Sequence, residues 1–161
     1  MPLGDFEREV LRLLAANRHP DSFVGGGTVL HQSPDSLRSS KDVDYFHDTI
    51  ESLAASVQRD ASTLRESGYE VELGHPRTLS SAPCRTADKS GMGLRQCLRF
   101  FPVERDLELG WRLNFWDAAT NKVLAFAGRS KVRDLLDVVY LHQRHFSLGA
   151  LAWPPPARTP A

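Results

Sequence analysis

The spacing of apolar residues along the chain predicts alternating helices and short strands. Phe6, Val10, Leu13 and Leu14 share one helical face behind Asp5, which can cap the helix. Asn17-Arg18-His19-Pro20 ends it, because proline disfavours helix in the residue before it. Phe23-Val24 reads as a short strand feeding Gly25, Gly26 and Gly27, and Thr28 stands where a second helix begins. His31 in that helix reads as a surface or packing residue. Asp42-Val43-Asp44-Tyr45-Phe46 alternates as a strand, with both aspartates on one face and Val43 and Tyr45 on the other. Asp48 and Glu51 fit a capping box opening the longest helix. Its predicted buried stripe is Ile50, Leu53, Ala54, Val57, Ala61 and Leu64, and Gly68 is its stop.

Tyr69-Glu70-Val71-Glu72-Leu73 alternates as a further strand with its glutamates in solvent. Residues 75–97 contain few large apolar side chains and no clear period, which predicts a long irregular loop. The Leu98-Arg99-Phe100-Phe101-Pro102-Val103 run reads as a strand ended by its proline, and Trp111, Leu113 and Phe115 line one face of another. Asp117 can cap a helix ending at Gly128. A last helix starts near Ser130, with Val132, Leu135, Leu136 and Val139 as its apolar stripe. Arg133 and Asp137 lie on another of its faces at i, i+4 spacing. The proline-rich tail, 154–161, reads as disordered.

The 161 residues suffice for one domain with a sizeable core. The expected division is a single domain over 1–153, with a sheet-bearing core over 22–116 and a helical part over 117–153. Twenty basic and twenty acidic residues balance, so strong nonspecific attraction to nucleic acid is not expected from net charge. No apolar run reaches the length of a membrane span, and early acidic residues do not read as a secretory signal. Cys84 and Cys97 lack paired metal spacing, which fits a cytoplasmic protein with reduced thiols.

The candidate chemistry concerns phosphate and a divalent cation. Gly25, Gly26 and Gly27 permit a turn that residues with a Cβ disfavour, and they let main-chain N–H groups approach an anion. Thr28 adds a hydroxyl at a helix start, where phosphate is favoured. Asp42 and Asp44 side by side repel unless a cation lies between them, and oxygen ligands near phosphate suit Mg²⁺. Arg38, Ser39, Ser40 and Lys41 form a basic segment just ahead of them.

Strand, Gly-Gly-Thr, helix, loop and Asp-x-Asp strand, in that order, resemble the nucleotidyltransferase superfamily that includes DNA polymerase β. The nearest likeness is to the AbiEii/AbiGii-type toxin nucleotidyltransferases. An Arg-x-Ser-x-Asp-x-Asp run is common there and is matched by Arg38, Ser40, Asp42 and Asp44. Asp117 followed by Lys122, and Arg133-Asp134 followed by Asp137, are similar to the family's third and fourth motifs. The resemblance covers roughly 23–69 and 98–153. It implies an α/β (α+β) polymerase β-like fold, a small mixed sheet with packed helices and a helical C-terminal part. It also implies a Mg²⁺-dependent enzyme with Asp42, Asp44, Lys122 and Asp134 as catalytic residues, the first two holding metal. Gly26, Gly27, Thr28, Arg38, Ser40, Lys122 and Arg133 would bind the nucleotide. An NTP is the implied donor, RNA such as tRNA or a protein the acceptor, and a cognate antitoxin a partner.

One stretch departs from the pattern. Superfamily members carry a third carboxylate on a later strand, in a phrase that reads like Leu-Glu-Trp in the branch this chain resembles. Here the same place holds Ser90-Gly91-Met92. Codons for 90–98 exist that spell Leu-Glu-Trp-Gly-Ser-Asp-Ser-Ala-Phe in another frame, so roughly 74–98 reads as a frame-shifted segment between two compensating indels. Asn114, Glu104 and Glu108 are the conceivable stand-ins. A degenerate, non-catalytic member that binds nucleotide or a partner is the rival reading.

Overall fold

The computed structural model describes residues 4–33, 36, 38, 43–72, 79–81, 90–92 and 99–152, with backbone alone at 50, 79–81, 90–92 and 152. The organising strand is β1 (Ser22–Gly25), buried at all four positions. It pairs antiparallel with β2 (Asp44–His47), Ser22 opposite His47 and Gly25 opposite Asp44. On its other side it runs parallel to β6 (Gly110–Arg112), which pairs antiparallel with β5 (Glu104–Asp106). The sheet order is β2-β1-β6-β5. Around it stand helices α1 (Asp5–Ala15), α2 (Gly26–Leu30), α3 (Ile50–Glu66), α4 (Phe115–Arg129), α5 (Val132–Arg144) and α6 (Leu148–Ala152). The class is therefore mixed α/β, as the sequence predicts. No described helix is long and apolar enough to cross a membrane. The tail 154–161 lies outside the described residues.

One apolar cluster joins these elements. It includes Leu11 and Leu14 of α1, Phe23 and Val24 of β1, Val29 and Leu30 of α2, Tyr45 of β2, Leu64 of α3, and Leu113, Leu141 and Leu151. Burying one such side chain contributes roughly 1.5–3 kcal/mol. Val43 and Tyr45 are buried on the face of β2 away from Asp44, as alternation requires.

Several predicted boundaries shift, each because a polar group finds a better partner. The box opening α3 is Thr49–Ser52, not Asp48–Glu51: Ser52 N–H donates to Thr49 Oγ1 at 3.0 Å, and Thr49 N–H to Ser52 Oγ at 3.2 Å. Along α3, Ala61 and Leu64 are buried, Leu53 and Val57 are half-buried, and Ala54 is exposed. Gly68 ends the helix at φ +87°, as expected. Residues 69–72 form no strand; Tyr69 instead packs on Phe6 and donates to Glu9 Oε1 at 2.7 Å. The described residues from Arg99 to Val103 are not a strand either. The N–H groups of Phe100 and Phe101 donate to Asp117 rather than to a neighbouring strand. Leu113 donates to Val24 O at 2.8 Å, and the chain then turns into α4 at Asn114. Within the stretch read as an irregular loop, β3 (Leu79–Ser81) pairs antiparallel with β4 (Ser90–Met92). The rest of 73–98 lies outside the described residues.

Between α1, α3 and the sheet lies a polar knot. Arg18 donates to Leu14 O at 3.2 Å, to Ser22 Oγ at 3.1 Å and to Asp60, and its guanidinium lies 4.3 Å from the centre of the Tyr45 ring. Asn17 joins Asp60 to Thr63, and Ser22 bonds Ser56 at 2.9 Å. The buried face of α3 is thus rotated toward Ser56 and Asp60 and away from Ala54, because the partners of Ser56 and Asp60 are buried with them. Burial pushes the Asp60 carboxyl up, against the pull of Arg18.

Beside this knot His47 is 5% exposed, and neither ring nitrogen has a hydrogen-bond partner among the described residues. Burial, then the Arg18 charge, lowers its pKa to about 4. The folded chain therefore binds fewer protons than the unfolded chain below the ordinary histidine value of ~6.5. His47's contribution is complete above that value and is lost as pH falls toward 4. A loss on the order of 3 kcal/mol is expected over that window. Urea unfolding at pH 7 and 4.5 checks it: His47→Gln should flatten that part of the pH dependence.

Candidate functional site

The turn from β1 into α2 requires glycine twice. A Cβ on Gly25 would strike the Phe46 ring, and one on Gly26 would strike the Asp44 carboxylate. Gly26 also sits at φ +64°, a left-handed conformation that costs other residues roughly 1–2 kcal/mol. Antiparallel register places Asp44 opposite Gly25, so the carboxylate lies over the main chain of the turn. Gly27 and Thr28 follow in the first turn of α2, with Thr28 buried. The structure thus brings the glycine turn and Asp44 together. Asp42 and Ser40 lie outside the described residues.

Helices α4 and α5 pack on each other, and α4 packs on α2. Their contact is ionic at its centre. Lys122 of α4 lies 2.9 Å from Asp137 Oδ2 and 3.3 Å from Asp134 Oδ1. Arg129 grips Asp134 with two bonds, Nε to Oδ2 at 2.6 Å and Nη2 to Oδ1 at 2.9 Å. Asp137 Oδ1 also meets His31 Nε2 at 3.0 Å and the Arg38 guanidinium. His31 Nδ1 is 2.7 Å from Ser36 Oγ, and Arg38 also donates to the Arg133 carbonyl at 2.8 Å. Both aspartates are buried.

The Arg129 hydrogen bonds hold the Asp134 carboxyl below the usual carboxylate range, against burial and with help from the Lys122 charge. Burial raises Asp137, but hydrogen bonds from His31 and Lys122 and the Lys122 charge outweigh it and bring it to about 2. Both are anions at neutral pH and act on their cationic neighbours rather than as proton donors. Arg129 is coupled electrostatically to Asp44, which links the cluster to the glycine turn.

The remaining predicted residues fall elsewhere. Arg133 is exposed, and its contact with the cluster is through its carbonyl. Asn114, not Asp117, caps α4: its Oδ1 accepts from Trp116 N–H at 2.9 Å. Asp117 is buried one turn further on and accepts the Phe100 and Phe101 N–H groups, each at 3.0 Å. Helix α4 ends at Arg129 rather than Gly128, with Ser130 left-handed at φ 47°. Of the two readings for His31, surface or packing residue, the structure shows the buried one: it is a bridge at the end of α2. Helix α5 is turned over relative to its predicted stripe: Asp134, Asp137, Val138 and Leu141 face inward, while Val132, Leu135, Leu136 and Val139 are exposed.

None of the stand-ins for a third carboxylate faces Asp44. Glu104 pairs with Arg112 and accepts from Asn114 on β5, and β1 and β6 separate it from β2. Glu108 pairs with Arg12 at the surface. Strand β4 lies beside β2, and its residues Ser90, Gly91 and Met92 include no carboxylate. Among the described residues no group of three His, Cys, Asp or Glu side chains is arranged to hold a metal ion.

Arg129 and His31 are the site neighbours that sequence reasoning missed. Arg129 reaches Asp134 across a helix–turn–helix junction, which no helical periodicity reveals. Removing it strips Asp134 of two bonds, and Arg129→Ala is expected to cost about 1–2 kcal/mol, the lower part of the usual range because the arginine is a third exposed. Arg133→Ala should stay within about 0.5 kcal/mol of wild type. Urea unfolding of the two variants checks the contrast. Compared with known proteins, the chain matches no family model, no curated protein and no solved structure.

Proposed function

We propose that the chain is a nucleotidyltransferase of the polymerase β-like type, moving a nucleoside monophosphate from an NTP to an acceptor hydroxyl. The observation that carries the reading is the Gly26 turn, left-handed and without a Cβ, pressed against Asp44. A turn built this way lets phosphate oxygens approach the main chain at Gly26 and Gly27. Asp44 is then the carboxylate nearest those phosphates. The Asp44 carboxylate suits Mg²⁺ in the chemistry of its oxygens; by the resemblance Asp42 and Asp44 would hold the ion, which when bound would neutralise charge at the phosphates. Arg129, whose charge interacts with Asp44, and Lys122 of the same ionic cluster supply fixed positive charge, and Asp134 and Asp137 hold those cations in place. In the reaction the acceptor oxygen bonds to the α-phosphorus, the bond to the bridging oxygen breaks, pyrophosphate leaves, and the hydroxyl proton passes to solvent. The resemblance to AbiEii/AbiGii toxins makes RNA such as tRNA the first acceptor to try, then protein, and an antitoxin the first partner to seek.

A second reading rests on its own observation. Strand β4, beside β2, offers no carboxylate, and Lys122 is engaged by two aspartates of its own chain. That arrangement suits a degenerate member that binds a nucleotide or a partner and transfers nothing.

The two separate on label transfer. The full chain is incubated with Mg²⁺, each α-³²P-labelled NTP and total RNA, beside Asp44→Ala and an EDTA control. Label on RNA that falls by about 10²-fold or more in both controls is the expected result, the scale for losing one preorganised electrostatic group. Absence of label from RNA and from added protein, in a folded chain that still binds NTP by calorimetry, overturns the enzyme and leaves the binder.

A further inference from the structure

Helix α5 is amphipathic in the opposite sense to the one its sequence suggests. Successive residues turn by 100°, so Asp134, Asp137, Val138 and Leu141 form the inner face, and Val132, Leu135, Leu136 and Val139 lie opposite them. Val132 is 73% exposed and Leu136 55%. Leu135 and Val139 complete a continuous outer stripe. Isolated exposed leucines need no explanation, but four aliphatic side chains in one stripe mark an interaction surface.

Among residues 113–152 the exposed charges have one sign. From residue 113 to 152 the chain holds three carboxylates, Asp117, Asp134 and Asp137, and all three are buried. Over the same span Arg129, Lys131, Arg133 and Arg144 are exposed. Lys131 precedes the stripe, while Arg133 and Arg144 flank it on one side and His142 on the other. The acids that would ordinarily balance a surface helix have been drawn inward to hold Lys122, Arg129, His31 and Arg38.

We propose that the outer face of α5 docks an acidic amphipathic helix of a partner protein. Such a segment carries apolar residues at i, i+3, i+4 and i+7, rimmed by Asp or Glu. Its apolar stripe would cover Val132, Leu135, Leu136 and Val139, and its carboxylates would meet Lys131, Arg133 and Arg144. Nucleic acid would use the same cations but stacks on aromatic rings, and this stripe is aliphatic. The proposal goes beyond the nucleotidyltransferase reading and does not rest on it, because no residue of the stripe belongs to the glycine turn or the ionic cluster.

The test is a display library of helical peptides with randomised stripe and flanks, selected on the full wild-type chain and counter-selected on Leu136→Asp. Binders are measured by fluorescence anisotropy. Enriched peptides should carry Asp or Glu beside an apolar stripe and weaken by about tenfold or more on Leu136→Asp. They should also weaken on Lys131→Glu/Arg144→Glu, which leaves the stripe intact, and with rising salt. Circular dichroism melts of the exposed-site variants verify that the fold is unchanged. The proposal is overturned if no peptide enriches, if the flanks are not acidic, or if binding ignores both variants. It is equally overturned if Leu136→Asp instead abolishes a dimer in sedimentation equilibrium, or abolishes binding to phosphatidylglycerol vesicles, since the face would then serve a second copy or a membrane.

Discussion

Two carboxylates buried on the inner face of α5 set the rest of the C-terminal half. A charge taken out of water costs several kcal/mol unless it is paired and hydrogen-bonded. Asp134 and Asp137 are satisfied only if Lys122 and Arg129 of α4, His31 at the end of α2, and Arg38 of the following segment converge on them. The pairing therefore fixes how α5 lies on α4 and where the segment after α2 is held. It also forces the aliphatic side of α5 outward. The same constraint produces the ionic cluster beside the glycine turn and the apolar, cationic outer surface.

The opposite face of the sheet repeats the device in another form. There Arg18 is buried against Asp60 and under Tyr45, with Asn17, Ser22, Ser56 and Thr63 completing the bonds. Central strand β1 lies between the two polar knots. Few of its neighbours can shift without unpairing a buried charge, which favours one arrangement of elements that are individually short.

The glycine turn draws its meaning from this framework. Gly26 presses its main chain against Asp44, and both are held because β1 is paired on each edge. Whether that geometry supports transfer or only binding turns on the edge beyond β2. There β4 carries serine, glycine and methionine where a carboxylate would complete an enzyme of the proposed type. The lysine and arginine that would stabilise transferred charge are also the partners of Asp134 and Asp137. Under the proposed reading, catalytic and structural demands on them would coincide.

Much of the local structure was legible in the residues alone. Helical spacing located α1, α3 and α5, the glycines located the turn after β1, and alternation put Asp44 opposite Val43 and Tyr45, because these features depend only on side-chain period and backbone sterics. Caps moved by a residue or more, from Asp48 to Thr49 and from Asp117 to Asn114, since several nearby polar groups compete for the same N–H donors. The orientation of α5 was not legible: periodicity finds two faces but assumes the apolar one goes inside. Only the tertiary structure brings Lys122, Arg129, His31 and Arg38 to the acidic face. A buried charge is set by partners distant in the chain, and no local pattern records them.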